Sequence, residues 1–248
     1  MSRVRQTWIG LALLLALGCA LTAGAGLPSL NKAGKGVLNK ATGAPAGGAA
    51  TDPKAWLDRA DDVVRQVQGA TECLDKSRAA LFSLAATAEE KRLLESMREE
   101  AGAAPEEVAV RTRQYQADVV EKAKAEKRYE AKRLSAEQAA NLGRVGGNLL
   151  LAAAHDRQAL DSGRRLIDNA DEALAAAREP KQALRLGKDA GRLVAMPAQL
   201  GRAVGEVPGQ LTALGALLEA VNQTRRNNPV ELREAPASGG AYEAVDDF

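Results

Sequence analysis

The fold is decided by the longest helical pattern in the chain, Ser135–Pro180, which reads SAEQAANLGRVGGNLLLAAAHDRQALDSGRRLIDNADEALAAAREP. Ser135 and the glutamine three residues later match a capping box, which predicts that a helix begins at Ala136. The pattern continues to Pro180, whose ring disfavours helix at the residue before it. One helix over 136–178 would be roughly 65 Å long. Its predicted seam consists of Leu142, Val145, Leu149, Ala152, Ala159, Gly163, Leu166, Ala170, Ala173 and Ala177.

A second seam begins near Thr51, where the folded region is predicted to start. Asp52 is a favourable N-cap residue, and Pro53 suits the first position of a helix. Apolar and small residues then alternate at intervals of four and three, which is the spacing of a heptad stripe. The residues of this stripe are Trp56, Ala60, Val63, Val67, Ala70, Leu74, Ser77, Leu81 and Leu84.

A third stretch, Leu186–Val221, repeats an apolar residue every seven positions. Pro197 and Pro208 interrupt it, and because proline removes a backbone donor they predict kinks or two or three short helices. The repeat consists of Leu186, Leu193, Leu200, Val207, Leu214 and Val221.

Two groups of glycines fall within these helices. The first group is Gly143, Gly146 and Gly147. Close approach of a neighbouring helix or a bend would compensate for the helix stability that each of these glycines costs. The second group, Gly201, Gly205 and Gly209, repeats every fourth residue, and these small residues are expected to let helices approach one another.

Between the long patterns, Thr87 opens a capping box and a helix that runs to about Glu100. Another helix is predicted from Glu106 to about Arg133. Ten of the sixteen residues over 118–133 are charged, with both signs mixed. This surface is either a solvated helix held by ion pairs or a docking face for a partner. The candidate residues for that face are Lys122, Lys124, Lys127, Arg128 and Lys132.

The composition favours long helices packed side by side. Aromatic residues make up only 3% of the chain, and alanine and leucine fill helix seams better than a thick core. The predicted fold is therefore all-α: an elongated bundle of long, coiled-coil-like antiparallel helices over 51–228. The segment 229–248 has five acidic residues against one basic residue, and it is predicted to be a disordered tail.

The chain opens with RVRQTWIGLALLLALGC over residues 3–19, which has the basic start and apolar core of a secretory signal. Its end, Ala16-Leu17-Gly18-Cys19, resembles the lipobox of bacterial lipoproteins. This resemblance implies that residues 1–18 are removed and that Cys19 becomes the lipid-bearing first residue. Ala20 after it implies the outer membrane. The glycine-rich residues 19–50 would form a flexible linker. Cleavage after Ala25 is the alternative, and it would release a soluble periplasmic or secreted protein.

Several functional classes are disfavoured. Removing Arg3 and Arg5 with the signal leaves 32 basic residues against 32 acidic ones, without the positive excess typical of nucleic-acid binding. His155 is the single histidine and Cys73 has no cysteine companion, so no metal site is expected. His155 and Asp156 are adjacent on a helix and point in different directions. Neither a Walker A motif nor a nucleophile elbow is present, and we expect no catalytic site, no cofactor and no small-molecule substrate.

Two functions fit these observations. The first is a tethered helical interaction or scaffold module in the periplasm that binds an envelope protein or self-associates. The second is a lipid-active helical protein, either a membrane-surface binder or a pore former, that uses Leu186–Val221 as its membrane-facing element.

Overall fold

Helices make up the regular structure of the computed structural model, which describes residues 52–100, 104–232, 241–246 and 248. No strand occurs in these ranges, so the described chain is all-α, as predicted. The described residues belong to one compact unit, Gly47–Phe248. In chain order the helices are α1 (Pro53–Ala85), α2 (Ala88–Arg98), α3 (Pro105–Ala125), α4 (Arg128–Ala131), α5 (Ala136–Asp168), α6 (Ala170–Ala176), α7 (Pro180–Leu186), a 3₁₀ turn (Gly187–Asp189) and α8 (Ala190–Arg225).

The predicted helix starts are confirmed where capping residues were recognised. The Asp52 carboxylate accepts hydrogen bonds from the backbone nitrogens of Lys54 at 3.0 Å and Ala55 at 3.4 Å. Thr87 and Ser135 each form a complete capping box with the residue three positions later. Such caps contribute roughly 1 kcal/mol each, because they satisfy backbone donors that the first turn leaves unpaired.

The predicted seams of α1, α5 and α8 face the interior. All nine stripe residues of α1 are buried, as are all six residues of the heptad repeat between Leu186 and Val221. At one end of the bundle the Trp56 indole Nε1 donates a hydrogen bond to the Leu166 carbonyl at 3.0 Å, which ties α1 to α5.

Pairs of contacts fix the directions of the three long helices. Lys54 lies 3.6 Å from Asp189, and further along Gln210 reaches Thr71 at 2.7 Å, so α1 and α8 run in the same direction. Helix α5 runs against both, because its late residue Gly163 adjoins Val63 and Val204, whereas its early residue Gly146 adjoins Val221. The helices enclose two apolar clusters, one at each end of the bundle.

Two predicted helices are interrupted. The helix expected over 136–178 ends at Asp168, where Asn169 turns (φ −99°, ψ 7°) before α6 begins. Asparagine competes for backbone hydrogen bonds and is a poor helix former, which favours the break.

The helix expected over 106–133 begins at Pro105 and breaks at Lys127, which has a positive φ of 54°. The turn places Tyr129 in the core, where its hydroxyl donates to the Leu81 carbonyl at 3.0 Å.

Kinks or two or three short helices were predicted around Pro197 and Pro208, and the second alternative is wrong, because α8 continues through both prolines. Buried apolar residues every seven positions hold the helix in the bundle on both sides of each proline. Pro208 itself is exposed, and its missing donor leaves the Val204 carbonyl without its helical hydrogen bond. Tertiary packing therefore outweighs the local cost of proline.

The glycines of α8 also differ from expectation. A Cβ atom built on Gly201, Gly205 or Gly209 would meet no neighbouring atom within 4 Å. These three positions face open space, so within the described chain they do not serve the approach of another helix. The glycines of α5 have the opposite role, which becomes clear at the candidate site.

Candidate functional site

The C-terminal segment lies along α5 and is held there through its backbone. The Asn148 side chain donates from Nδ2 to the Glu243 carbonyl at 2.8 Å, and its Oδ1 accepts from the Glu243 nitrogen at 2.9 Å. Asn141 repeats this arrangement, with Nδ2 donating to the Asp246 carbonyl at 2.5 Å and Oδ1 accepting from the Asp246 nitrogen at 3.1 Å. Each amide thus satisfies both backbone groups of one residue.

The spacing of these two asparagines matches the spacing of the residues that they bind. Seven residues along an α-helix span about 10.5 Å, and three residues of extended chain span about 10 Å. Asn148 and Asn141 are seven positions apart, and Glu243 and Asp246 are three apart. Because the later tail residue binds the earlier asparagine, the segment runs antiparallel to α5. Because the two spacings match, one face of α5 can hydrogen-bond to an extended chain at two positions.

Side chains at every third position of the segment contact the domain. Tyr242, Val245 and Phe248 are partly buried and pack against the apolar cluster at this end of the bundle. The backbone carbonyl of Phe248 accepts a hydrogen bond from the Ser83 hydroxyl of α1 at 2.8 Å. The segment therefore occupies a groove between α1 and α5, which we call the α1–α5 groove.

An ion pair adds charge recognition to the groove. The Arg144 guanidinium lies 2.9 Å from the Asp246 carboxylate, and it also donates to the Asn141 side chain at 3.2 Å. The Asp246 side chain is 76% exposed, so the pair is screened by water and contributes modestly to affinity. Its main effect is to favour an acidic residue at this position.

The Tyr242 end of the groove is the most enclosed contact. The Tyr242 hydroxyl lies 3.1 Å from His155 Nδ1, and the two rings meet edge to face with centroids 5.8 Å apart. Burial raises the pKa of Tyr242 and lowers the pKa of His155, so both groups are neutral at pH 7. On the facing helix, a Cβ on Gly69 would lie 3.3 Å from the tyrosine ring. Glycine at this position leaves room for the ring.

The glycines of α5 accommodate the chain that follows α8. A Cβ on Gly143 would lie 2.6 Å from the Glu231 carbonyl oxygen, and one on Gly146 would lie 2.3 Å from a methyl group of Leu232. Both distances are shorter than real Cβ contacts allow. Of the two compensations predicted for these glycines, close approach is present: Gly143 and Gly146 adjoin residues 230–232, and Gly146 also lies near Val221 of α8.

These contacts correct the prediction of a disordered tail over 229–248 for its described residues, 229–232, 241–246 and 248. Composition suggested disorder because acidic residues outnumber basic ones. The outcome differs because apolar side chains at every third position supply buried area, and asparagine side chains replace water at the backbone. Residues 233–240 and 247 lie outside the described chain.

Beneath the groove lies a buried carboxylate, Asp156, whose side chain is fully inaccessible to solvent. With the Gln210 amide nitrogen directed at it, Gln210 donates to both carboxylate oxygens at 2.9 and 3.1 Å, and the amide oxygen meets the Thr71 hydroxyl at 2.7 Å. Burial raises the pKa of Asp156 to about 7. His155 faces the groove and Asp156 faces α8, so the two do not form a pair, as expected.

Cys73 lies near this polar network on α1. The thiol is buried, its sulfur lies 3.9 Å from the Ser77 hydroxyl, and burial raises its pKa to about 11. A protonated, inaccessible thiol is a poor nucleophile and a poor metal ligand. Within the described residues no group of three or more potential metal ligands occurs.

The predicted basic docking face is divided by intramolecular ion pairs. The Arg128 guanidinium lies 2.7 Å from the Glu90 carboxylate, and together with Lys122 at 3.2 Å it lowers the pKa of Glu90 to about 2. Lys124 is 8% exposed and lies 3.0 Å from both Glu121 and Glu219.

Arg128 and Lys124 therefore join neighbouring helices and are not available as one surface. The other three candidates are more accessible. Lys122 is 58% exposed, Lys127 is exposed at the turn before α4, and Lys132 is half-buried, with its backbone carbonyl accepting from Asn228 at 3.0 Å.

Two further predictions concern membranes. Cys19, the signal and the linker lie outside the described residues. No helix in the described part of the chain is both long and apolar enough to cross a bilayer. In Leu186–Val221, the proposed membrane-facing stretch, the heptad residues are buried in the bundle, which leaves the lipid-active interpretation without an apolar face from that repeat.

The groove residues Asn141, Asn148, Ser83 and Arg144 were not predicted from the sequence. The available signals were two asparagines one heptad apart beside an apolar seam, and the spacing of three between Tyr242, Val245 and Phe248. Comparison of the chain with protein-family models, with curated proteins and with solved structures found no match.

Proposed function

We propose that this protein is a non-enzymatic lipoprotein of the bacterial cell envelope that acts as a tethered interaction module. In this proposal Cys19 carries the lipid, residues 19–50 form the tether, and the helical domain faces the periplasm from the outer membrane. The domain itself is an elongated, coiled-coil-like bundle. Its binding site is the α1–α5 groove, and its ligand is an extended segment of a protein.

One observation carries the proposal: two asparagines of α5 each pair with both backbone groups of one residue in an extended segment. Backbone pairing of this kind recognises chain conformation independently of side chains, and neighbouring pockets then supply sequence preference. Here the pockets receive side chains at every third position. This arrangement is suited to holding a peptide, and His155, which lies beside the segment, contacts the Tyr242 hydroxyl.

The non-enzymatic part of the proposal is supported by the state of the reactive side chains. His155 contacts Tyr242, Asp156 is buried against an amide, and the Cys73 thiol is inaccessible. None of the three is positioned to exchange a proton with another of them across the groove.

Peptide binding tests the proposal. A fluorescein-labelled peptide of residues 241–248, AYEAVDDF, is titrated with a chain that ends at Gly240, and fluorescence anisotropy reports binding. The peptide should bind saturably. Asn148→Ala in the same chain should weaken binding about tenfold, because it removes two hydrogen bonds. Asn222→Ala, at an exposed position of α8, is the matched control and should have no effect.

The tether is tested separately by mass. The mature protein should carry lipid on Cys19, and Cys19→Ser should move it from the membrane fraction to the soluble fraction. An unmodified protein that begins at Gly26 would refute the lipid anchor and leave the groove proposal standing.

A further inference from the structure

We propose that the C-terminal segment is an internal inhibitor of the α1–α5 groove, and that the groove's partner is an acidic extended segment with an apolar side chain at every third position. This inference rests on the proposed function and specifies both the partner's chemistry and its regulation.

The first argument is that the groove contacts are replaceable. Four hydrogen bonds from Asn141 and Asn148 reach only backbone atoms of the segment, and the Ser83 hydroxyl also binds a backbone carbonyl. Any chain in the same extended conformation offers the same atoms. The groove therefore does not require that its occupant be covalently continuous with the domain.

The second argument concerns the side chains that select the occupant. Tyr242 fits beside Gly69 and His155, and Val245 and Phe248 pack on the apolar cluster. Arg144 meets a carboxylate between them, at Asp246. A complementary partner segment has an aromatic, an aliphatic and a second aromatic side chain at intervals of three residues. An acidic residue directly follows the aliphatic one.

The third argument is that attachment makes the segment a strong competitor. Only eight residues separate Leu232, which is packed on α5, from Ala241, where the segment begins. A short connection holds a ligand at an effective concentration on the order of millimolar. If the free segment binds an open groove with a Kd of about 10 μM, the attached copy raises the apparent Kd of a competitor roughly 100-fold.

The segment is also separable from the elements that build the domain. Helices α1, α2 and α5 have side-chain caps of their own, and the apolar cluster around Trp56 and Leu200 at the other end of the bundle does not include the segment. Displacement would uncover the groove while α1, α5 and α8 still pack on one another. Inhibition by the segment is thus compatible with a folded, open state.

The test compares three proteins with the same labelled peptide, residues 241–248. They are the full chain, the chain that ends at Gly240, and the full chain with Tyr242→Ala and Phe248→Ala. The truncated chain should bind at least tenfold more tightly than the full chain, and the doubly substituted chain should fall between them. Circular dichroism checks that each protein is helical; if truncation unfolds the domain, the doubly substituted chain carries the comparison.

The outcomes separate the two proposals. Equal affinity for the full and open chains would overturn the inhibition and leave the peptide-binding function intact. Absence of binding to every form would overturn both. Dimers of the full chain that vanish on truncation would mean that the segment acts between copies, which also overturns internal inhibition.

Variants of the peptide test the partner's chemistry. Val245→Asp in the peptide should weaken binding to the open groove more than tenfold, because it places a charge against the apolar cluster. Ala244→Ser is the matched control, since Ala244 is exposed, and it should bind like the parent peptide. Equal binding of both peptides would refute the proposed selectivity.

Discussion

Replacing Asp156 with asparagine should stabilise the protein at alkaline pH and leave its stability almost unchanged near pH 4. The wild-type carboxyl is fully buried and has hydrogen bonds from Gln210, and none of the described residues places a cation within ion-pairing distance of it. The titratable groups that face it, Cys73 on α1 and Tyr242 in the C-terminal segment, have raised pKa values and are neutral at pH 7. Within the described chain these hydrogen bonds offset only part of the hydration that Asp156 loses when it ionises, because burial still raises its pKa.

The magnitude follows from the two pKa values. Burial raises the pKa of Asp156 from 3.8 to about 7 in the folded protein. The folded state thus binds more protons at Asp156 than the unfolded state does between these limits, so the contribution of Asp156 to wild-type stability is fully present below pH 3.8 and is lost as pH rises to about 7. A gap of this size corresponds to a loss of up to about 4 kcal/mol. Asparagine cannot ionise and avoids this loss.

Thermal and urea denaturation of both proteins at pH 4.5, 6, 7 and 8.5 would measure the effect. Above pH 7 the melting temperature of Asp156→Asn should exceed that of wild type by roughly 10 °C, and the difference should shrink as pH falls. Titration of His155 is common to both proteins and cancels in the comparison. Asp161→Asn, exposed on the same helix, is the matched control and should shift melting by about 1 °C or less.

A pH-independent difference between wild type and Asp156→Asn would refute the reasoning, because it would show that the buried carboxyl does not change its charge in this range. A less stable variant at pH 8.5 would also refute it, since that result requires a partner that stabilises the ionised form.

Three further predictions concern stability, each measured by urea denaturation. Leu214→Asp should destabilise the protein by several kcal/mol, because it buries an unpaired charge. Leu184→Asp, at a residue that is 83% exposed, should change stability by less than about 0.5 kcal/mol. Equal losses would mean that the seam of α8 is not in the core. Gly143→Ala should destabilise, because its Cβ would lie 2.6 Å from the Glu231 carbonyl oxygen, a backbone atom that cannot move away by a change of rotamer. Gly205→Ala, which faces open space, should stabilise by about 0.5–1 kcal/mol; the opposite order would refute the packing of residues 230–232 on α5. Glu90→Gln should lower the free energy of unfolding by about 1–3 kcal/mol at pH 7 and have almost no effect near pH 2. The pKa of Glu90 is lowered to about 2, so its stabilising charge is lost as pH falls from 4.5 towards that value. A loss of stability that persists at pH 2 would point to packing instead of charge.

Taken together, the groove and the buried acid place two different demands on α5. Its seam residues hold the bundle together, and its asparagines, arginine and glycines form the surface that receives two segments of extended chain. Asp156 and His155 are neighbours in sequence, yet one faces α8 and the other faces the C-terminal segment. One helix therefore contributes to both the core and the candidate site.

The all-α class, the caps at Asp52, Thr87 and Ser135, and the buried faces of the three long helices could all be predicted from the sequence. These features follow from local rules. A cap is satisfied within three residues, and a helical period of 3.6 residues assigns each side chain to one face. A stripe from Trp56 to Leu84 could therefore be assigned to the core without knowledge of what covers it.

Which apolar stripe packs against which depends on contacts between distant segments. The same contacts determine the conformation of residues for which the local sequence gives no signal. Pro197 and Pro208 were expected to kink α8 or to divide it, and it is not divided because burial on both sides of each proline outweighs the lost hydrogen bonds. The C-terminal segment was expected to be disordered because its composition is acidic. Composition does not show that another part of the chain offers a surface on which the segment can pack. Its contacts join Asn148 to a residue 95 positions away. The free energy of such a contact depends on two segments meeting in space, and sequence periodicity carries no information about that meeting.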